Sequence, residues 1–225
     1  MNRLTCDALI FDLDGVLVDS TAVVERTWRR WAKAHGLDFE AVMRVAHGRP
    51  ARDTVGLVAP HLDPEAEAAR LAAEEAYETN GLVRIEGAAQ LVSALPQGRW
   101  AVATSGTREI ATTRLAFAGI GRPAVLITAD DVERGKPDPQ AYLLAAEGLG
   151  VPPERAIVFE DAPAGIEGAR AAGMEIVALA TTHPAEELKR ATVVAHRLSD
   201  IRVSANDGCG KSLTVYVGGN NAASD

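Results

Sequence analysis

Short apolar runs separated by helix-like segments constrain the fold of this chain more than any other feature of its sequence. The runs are Ala8–Phe11, Trp100–Ala103, Ala124–Ile127, Ala156–Phe159 and Glu175–Leu179. Runs of this length and composition are typical of buried strands, and helical patterns separate several of them. The sequence therefore predicts an α/β fold with a doubly wound, Rossmann-like parallel sheet. Beyond His196 the pattern weakens, although Leu213–Val217 is predicted to form one last edge strand.

The segment from about Ser20 to Arg84 has a different, purely helical pattern. One helix is predicted from apolar and aromatic residues at helical spacing, namely Val23, Val24, Thr27, Trp28 and Trp31. A second, rich in Ala and Glu, is predicted from Pro64 to Tyr77. No convincing buried strand interrupts the segment. We therefore expect a helical cap domain of residues 19–84, inserted into a core domain made of residues 1–18 and 85–225.

The charge of the chain excludes two classes of partner. The formal net charge is −8 and the sequence pI is about 5.2. Proteins that bind nucleic acid or a membrane surface need clustered Lys and Arg, so neither partner is expected. No apolar stretch approaches the roughly 18 residues that span a bilayer, and the N-terminus has no signal-peptide pattern. We therefore expect a cytoplasmic protein, and we expect it to be a monomer or a weak homodimer.

Two carboxylates two residues apart follow the first predicted strand, in the sequence Asp12-Leu13-Asp14-Gly15-Val16. Acids spaced in this way past a strand can face one ligand, where one attacks phosphorus and the other moves a proton. A structural turn is the alternative interpretation of the segment taken alone, since Asp and Gly both favour turns.

The turn after the second predicted strand carries hydroxyl groups and unobstructed amides, at Thr104, Ser105, Gly106 and Thr107. Backbone N–H groups and the dipole of a following helix attract phosphate at such a turn. The segment is therefore a candidate phosphate cradle. A helix N-cap made by Ser or Thr is the alternative, and the two roles are compatible.

A lysine lies in a stiff turn ahead of a helix, in the sequence Gly135-Lys136-Pro137-Asp138-Pro139. Lys136 can present a point charge to a phosphate and to a nucleophilic carboxylate. A solvated loop lysine is the alternative, because most lysines are exposed.

The strand predicted at Ala156–Phe159 ends in two adjacent acids, Glu160 and Asp161. Adjacent carboxylates at the carboxyl edge of a sheet need compensating charge. A magnesium ion would supply it, because this cation prefers carboxylate, carbonyl and water oxygens and can bridge to a substrate phosphate. A surface acidic turn is again the alternative for this segment alone.

Together these segments resemble the haloacid dehalogenase superfamily, whose four motifs match Asp12–Val16, Thr104, Lys136 and Glu160–Asp161 in order. The resemblance spans Asp7 to roughly Ala180. The sequence from Phe11 to Ser20 is similar to the branch of β-phosphoglucomutases and sugar phosphatases, which carries a helical cap after the first motif. The stretch Ala103–Arg108 is similar to 2-deoxyglucose-6-phosphatases and glycerol-phosphate phosphatases, which implies a small sugar or polyol phosphate as substrate.

The resemblance implies a role for each motif residue. Asp12 would be the nucleophile that forms an aspartyl-phosphate, and Asp14 the acid and base of the two half-reactions. The implied Mg²⁺ ligands are Asp12, the Asp14 backbone carbonyl and Asp161, with Glu160 bound directly or through water. Phosphate oxygens would be held by Thr104 and the amides near Ser105 and Gly106, and Lys136 would neutralise charge.

The resemblance also places substrate selection in the cap, in the loop Ala46–Asp53. Arg52 matches a substrate-contacting arginine of the mutase-like members of the branch. His47 and Arg49 are candidates to reach a sugar hydroxyl or a second anionic group. Solvated loop roles remain the alternative for these residues.

Three functions remain open from the sequence. A phosphatase of a small phosphorylated metabolite is the leading hypothesis, because all motif residues have a use in it. A phosphomutase resembling β-phosphoglucomutase uses the same nucleophile and acid/base. A protein that only binds a phosphometabolite is the non-enzyme alternative. The presence of Asp14 disfavours dehalogenases and phosphonatases, which lack an acid at that place.

Overall fold

The computed structural model describes residues 1–46, 48–205 and 212–218. The strands are β1 (Asn2–Cys6), β2 (Ala8–Phe11), β3 (Val18–Asp19), β4 (Val83–Arg84), β5 (Trp100–Ala103), β6 (Val125–Ile127), β7 (Ala156–Glu160), β8 (Glu175–Leu179), β9 (Val193–Ala195), β10 (Ile201–Ala205) and β11 (Leu213–Val217). The α-helices are α1 (Thr21–Ala34), α2 (Phe39–Ala46), α3 (Ala51–Val58), α4 (Pro64–Glu75), α5 (Ala88–Ser93), α6 (Arg108–Ala118), α7 (Gln140–Leu149) and α8 (Pro163–Ala171).

The main sheet is parallel throughout and has the spatial order β6-β5-β2-β7-β8-β9. The chain starts near the middle at β2, fills one side with β5 and β6, and then returns to fill the other side from β7 outward. This confirms the predicted doubly wound α/β fold. In such a sheet the strand order reverses between β2 and β7, and ligands bind at the carboxyl ends of the strands at that point.

Alternating side chains of the strands fill a core on each face of the main sheet. Leu9 and Phe11 of β2 belong to one apolar cluster, and Ile10 between them belongs to the other. Phe11 stacks on Phe159 of β7, with ring centroids 4.7 Å apart. Because the strands are buried on both faces, they lack the alternation of polar residues and appear in the sequence as continuous apolar runs.

Four helices, α1 to α4, lie between β3 and β4 in the sequence; we call them the helical insertion. They enclose an apolar cluster of their own, which includes Trp28, Trp31 and Leu71. The predicted helices correspond to α1 and α4, whereas α2 and α3 were not predicted individually. The indole N–H of Trp31 donates to Glu67 of α4 at 2.7 Å, which fixes α1 against α4.

The predicted edge strand at Leu213–Val217 forms, but its predicted place at an edge is wrong. β11 is the centre of a second sheet with the order β1-β11-β10, and both of its neighbours are antiparallel to it. Leu213, Val215 and Val217 are buried and join the core of the main sheet. The partner β1 lies at the other end of the sequence, so no local pattern could reveal the pairing.

None of the helices in the described residues is long and apolar enough to cross a membrane.

The central position of β11 can be tested at Val215, which is fully buried. We expect Val215→Ala to lower the free energy of unfolding by about 2 kcal/mol, because the lost methyl groups leave a cavity in the core. Urea denaturation would measure it. Arg202→Ala, at an exposed position on β10, is the control and should change stability by less than about 0.5 kcal/mol. An equally small effect at Val215 would contradict its burial in the core.

Candidate active site

The acids that follow β2 and end β7 are brought together by the pairing of these two strands. Phe11 is in register with Phe159, and the N–H of Asp12 donates to the Phe159 carbonyl at 2.9 Å. Asp12 therefore lies beside Glu160 and Asp161 at the carboxyl edge of the sheet. This is the point at which the strand order reverses, where ligand sites of such folds occur.

Lys136 joins two of these acids. Its ammonium group donates to Asp12 Oδ1 and to Glu160 Oε1, each at 2.6 Å. The lysine is 2% exposed, so the predicted alternative of a solvated loop residue is wrong. Tyr142 of α7 donates its hydroxyl to the same Glu160 oxygen at 2.8 Å. One buried cation is thus shared by two carboxylates.

Burial and mutual charge control the ionisation of this group. Burial would lower the pKa of Lys136, but the Asp12 and Glu160 carboxylates outweigh it and raise the pKa well above its ordinary value. Burial, with the nearby Glu160 and Asp14 carboxylates, raises the pKa of Asp12 to about 7 although Lys136 opposes the shift. Burial also acts to raise the pKa of Glu160, but Lys136 and hydrogen bonds to the carboxylate lower it on balance.

Asp161 lacks the cation that its neighbours share. It is 4% exposed, and its side chain accepts a hydrogen bond from the Thr182 hydroxyl. Burial, reinforced by Glu160 and Asp12, raises its pKa well above the ordinary value. Carboxylate oxygens of Asp12, Glu160 and Asp161 lie within 4.8 Å of one another. With all three carboxylates ionised, one lysine would not balance their charge, so the donor set fits a hard divalent cation.

Glu160 differs from the other two acids because its oxygens already have partners. Oε1 accepts from Lys136 and Tyr142, and Oε2 accepts from the N–H groups of Asp161 and Ala162 at 2.8 and 2.9 Å. A carboxylate has about four lone-pair positions, so these donors occupy all of them. Direct binding of a cation by Glu160 would require it to give up one of these bonds.

The predicted phosphate cradle follows β5 and faces the cavity that Asp12 and Asp161 also line. Thr104 is 3% exposed, and its hydroxyl oxygen accepts from the Gly106 N–H at 3.1 Å. Thr107 caps α6 by accepting from the Ile110 N–H. The predicted capping role therefore falls on Thr107. Ser105 donates its hydroxyl to the Gly48 carbonyl of the helical insertion at 3.0 Å.

Asp14 lies two residues beyond Asp12 and is held through both carboxylate oxygens. Ser20 donates to Oδ1 at 2.6 Å, and Arg114 of α6 donates to Oδ2 at 2.8 Å. A second nitrogen of Arg114 donates to Glu75 of α4 at 2.7 Å. Burial raises the pKa of Glu75, and Arg114 only partly offsets that effect.

A cavity of about 370 Å³ lies between the sheet edge and the helical insertion. Its lining from the core includes Asp12, Asp14, Thr104, Ser105, Gly106 and Asp161. Its lining from the insertion includes Val24, Trp28, Arg49, Arg52, Leu71 and Glu75. The structure thus brings most of the sequence-predicted site residues to one space.

The predicted cap-loop residues differ in their surroundings. Arg52 donates to the Glu133 carbonyl at 2.8 Å and contacts Asp53 and Glu65. Arg49 lines the cavity, and its side chain makes no ion pair or hydrogen bond with other described residues. His47 lies outside the described residues.

Sequence reasoning missed Arg114, Glu75 and Tyr142. A signal for Arg114 was present, because it lies in the apolar stripe of α6 made by Ile110, Ala111, Leu115 and Ala118. A charged residue at such a position must find a partner in the interior. The partners themselves could not be identified, since Asp14 and Glu75 are distant in the sequence.

Gly15 offers a test of how tightly the site is packed. Its φ is 76°, and an added Cβ would collide with the Asp161 carboxylate. We expect Gly15→Ala to destabilise the protein more than Gly36→Ala, by about 1–3 kcal/mol. Gly36 has a φ of 66° but nothing within 4 Å of an added Cβ, so it reports backbone strain alone. Urea denaturation of both variants would measure the difference, and equal losses would show that Asp161 does not approach Gly15 closely.

Two relatives are similar to this chain along most of its length. The chain is 40% identical to hexitol phosphatase A of Escherichia coli (strain K12) over 89% of its own length and 95% of the relative. It is 36% identical to glycerol-1-phosphate phosphohydrolase 2 of Saccharomyces cerevisiae over 99% of its length and 89% of the relative.

Solved structures share the fold. A hydrolase from Pseudomonas syringae superposes with a TM-score of 0.76 at 26% identity, covering 85% of this chain and 94% of the other. A β-phosphoglucomutase from Clostridium difficile has a TM-score of 0.70 at 24% identity, covering 85% of this chain and 91% of the other. Residues 6–173 match the family model of haloacid dehalogenase-like hydrolases. Because this match covers more than half of the chain, the chain belongs to the haloacid dehalogenase-like hydrolases.

Proposed function

We propose that this chain is a magnesium-dependent phosphatase that hydrolyses a small sugar or polyol phosphate through an aspartyl-phosphate on Asp12. The observation that carries the proposal is the common cavity lined by Asp12, Asp14 and the turn from Thr104 to Thr107. In this proposal these residues supply the nucleophile, the acid/base and the phosphate donors around one space. The names of the two relatives above describe phosphatases of polyol phosphates, which supports the substrate class.

The reaction has two half-reactions in which Asp14 exchanges roles. In the first, an Asp12 oxygen bonds to phosphorus while the bond from phosphorus to the ester oxygen breaks, and Asp14 gives its proton to that oxygen. In the second, Asp14 takes a proton from water, whose oxygen attacks phosphorus and releases inorganic phosphate and Asp12. Thr104 and the amides of Ser105 and Gly106 hold the phosphate oxygens.

The carboxylates would hold the magnesium ion. Asp12, Asp161 and the Asp14 carbonyl are the proposed ligands, and Glu160 would join them, directly or through water, by giving up one of its four hydrogen bonds. When bound, the ion supplies positive charge to the carboxylates and the phosphate. Lys136 keeps an Asp12 oxygen oriented and balances part of the negative charge.

We further propose that residues 19–84 form a cap domain over a core of residues 1–18 and 85–225. The insertion meets the phosphate cradle where Ser105 donates to the Gly48 carbonyl. It also packs at Gly135, where an added Cβ would collide with Pro50. A cap in this position would exclude bulk water from the reaction.

The size and lining of the cavity favour a small hydroxylated substrate. Its volume of about 370 Å³ is near the lower end of ligand sites, which span roughly 300–1,000 Å³. Trp28 and Leu71 offer apolar surface for a carbon skeleton, and the Arg49 guanidinium offers donors to hydroxyl oxygens. Arg52 and His47 remain predicted substrate contacts.

Phosphate release from a panel of hexitol, glycerol, sugar and nucleotide monophosphates, with Mg²⁺ or EDTA, tests the function. We expect release that needs Mg²⁺ and favours the polyol and sugar esters. Sugar-phosphate products should be followed in the same reactions. Interconversion of sugar phosphates without release would support a phosphomutase, and binding without any turnover would support a phosphometabolite-binding protein.

Replacing the nucleophile should abolish turnover. We expect Asp12→Asn to lower kcat by about 1,000-fold or more, since an amide cannot form the covalent intermediate. Asp63→Asn is the matched control, because Asp63 lies outside the cavity and caps α4, a role that Asn also fills. Steady-state kinetics with circular dichroism would separate lost chemistry from lost structure. Turnover that survives Asp12→Asn would rule out the proposed mechanism.

Magnesium binding should stabilise the folded protein through Asp161. At about 100 times its Kd, an ion that binds only the folded state adds about 2.7 kcal/mol, or roughly 5–10 °C in Tm for a chain of this size. We expect Asp161→Asn to remove most of this shift in differential scanning fluorimetry. Asp200→Asn is the control and should retain it, because Asp200 does not line the cavity. An unchanged shift in Asp161→Asn would place the ion elsewhere.

A further inference from the structure

Arg114 is a buried cation that the proposed reaction does not use directly. It lies on the inner face of α6 and is 4% exposed. One guanidinium nitrogen donates to Asp14 at 2.8 Å, and another donates to Glu75 at 2.7 Å. The planar guanidinium presents its N–H donors in a rigid fork, so it can hold two carboxylates in fixed directions.

The two carboxylates belong to different parts of the protein. Asp14 follows β2 in the core, whereas Glu75 is the last residue of α4 in the helical insertion. The other partner of Asp14 is Ser20, which immediately precedes α1. The orientation of Asp14 is therefore set by contacts at the start of the insertion and, through Arg114, at its last helix.

A proton donor acts efficiently only when it lies within hydrogen-bond reach of the oxygen that receives the proton. Small displacements of a catalytic group can cost about 100-fold in rate. Asp14 is only partly buried, with 29% of its side chain exposed, so packing alone does not fix its rotamer. A charge-assisted hydrogen bond from a buried arginine provides the missing constraint.

We propose that Arg114 is a positioning residue that orients Asp14 for proton transfer and couples this orientation to the helical insertion through Glu75. The inference rests on the proposed phosphatase function. It implies that Arg114 matters most for esters whose leaving oxygen needs a proton. The leaving group of an alkyl phosphate departs as an alcohol and needs a proton. p-Nitrophenyl phosphate can release a stable phenolate without a proton.

The experiment compares kcat/KM of Arg114→Met for two substrates, the best alkyl phosphate of the panel and p-nitrophenyl phosphate. This parameter covers the steps up to departure of the leaving group, so later attack by water does not affect it. We expect a loss of about 100-fold for the alkyl ester and less than about 3-fold for the aryl ester. Arg190→Met, which breaks an exposed ion pair with Glu167, is the control and should change neither.

Glu75→Gln tests the coupling to the insertion and is the milder variant if Arg114→Met does not fold. We expect a loss of about 10-fold for the alkyl ester and less than about 2-fold for the aryl ester, because Arg114 would keep only one of its ionic partners. Glu74→Gln is the matched control, since Glu74 is the exposed neighbour that pairs with Arg30. When Glu75→Gln is added to Arg114→Met, the double variant should show no further loss. Arg114→Lys should recover part of the alkyl-ester activity.

Several outcomes would overturn the inference. An equal loss for both esters would indicate a general structural role, and a rise in KM for the alkyl ester at unchanged kcat would indicate contact with substrate. If the two substitutions lower the activity independently in the double variant, the proposed coupling through Glu75 is wrong. Failure of the proposed function is distinguishable, because the unmodified protein would then hydrolyse neither ester in the presence of Mg²⁺.

Discussion

The buried ion pairs of Lys136 are the interaction on which the site depends. A lysine that is 2% exposed can remain charged only beside compensating carboxylates, and Asp12 and Glu160 supply them at 2.6 Å. The same contacts fix the direction of the Asp12 side chain at the cavity. Removing Lys136 would leave two buried carboxylates without their shared cation, so the lysine is needed to keep both acids in the interior. The ion pairs of Lys136 thus stabilise the buried acids and also position the side chain of the proposed nucleophile, Asp12.

The parallel sheet explains why these groups meet. β2 and β7 are neighbours, and their carboxyl ends carry Asp12 and the Glu160–Asp161 pair. β5 lies on the other side of β2 and ends at the proposed phosphate cradle. Each motif is a strand end followed by a turn, and the sheet collects these turns at one edge. The excess of carboxylates over lysine at that edge fits a divalent cation.

The helical insertion adds the other half of the cavity and reaches Asp14 through charged groups. Arg114 connects the proposed acid/base to Glu75, and Ser105 connects the phosphate cradle to the Gly48 carbonyl. The helical insertion therefore contacts both the proposed acid/base and the proposed phosphate cradle. A change in the insertion can alter the reaction without touching the reacting atoms.

The sequence by itself determined five of the six strands of the main sheet, because their continuous apolar runs record burial on both faces, whereas the edge strand β9 was not predicted. It also identified the candidate site residues at the strand ends, from Asp12 to Asp161, because each of them belongs to a short local motif. Only the tertiary structure decided the central place of β11, the bonds from Lys136 and Tyr142 to Glu160 and the bridge from Arg114 to Glu75. These features join residues far apart along the chain. Local patterns record the burial of a residue, whereas the identity of its partner depends on how the whole chain packs.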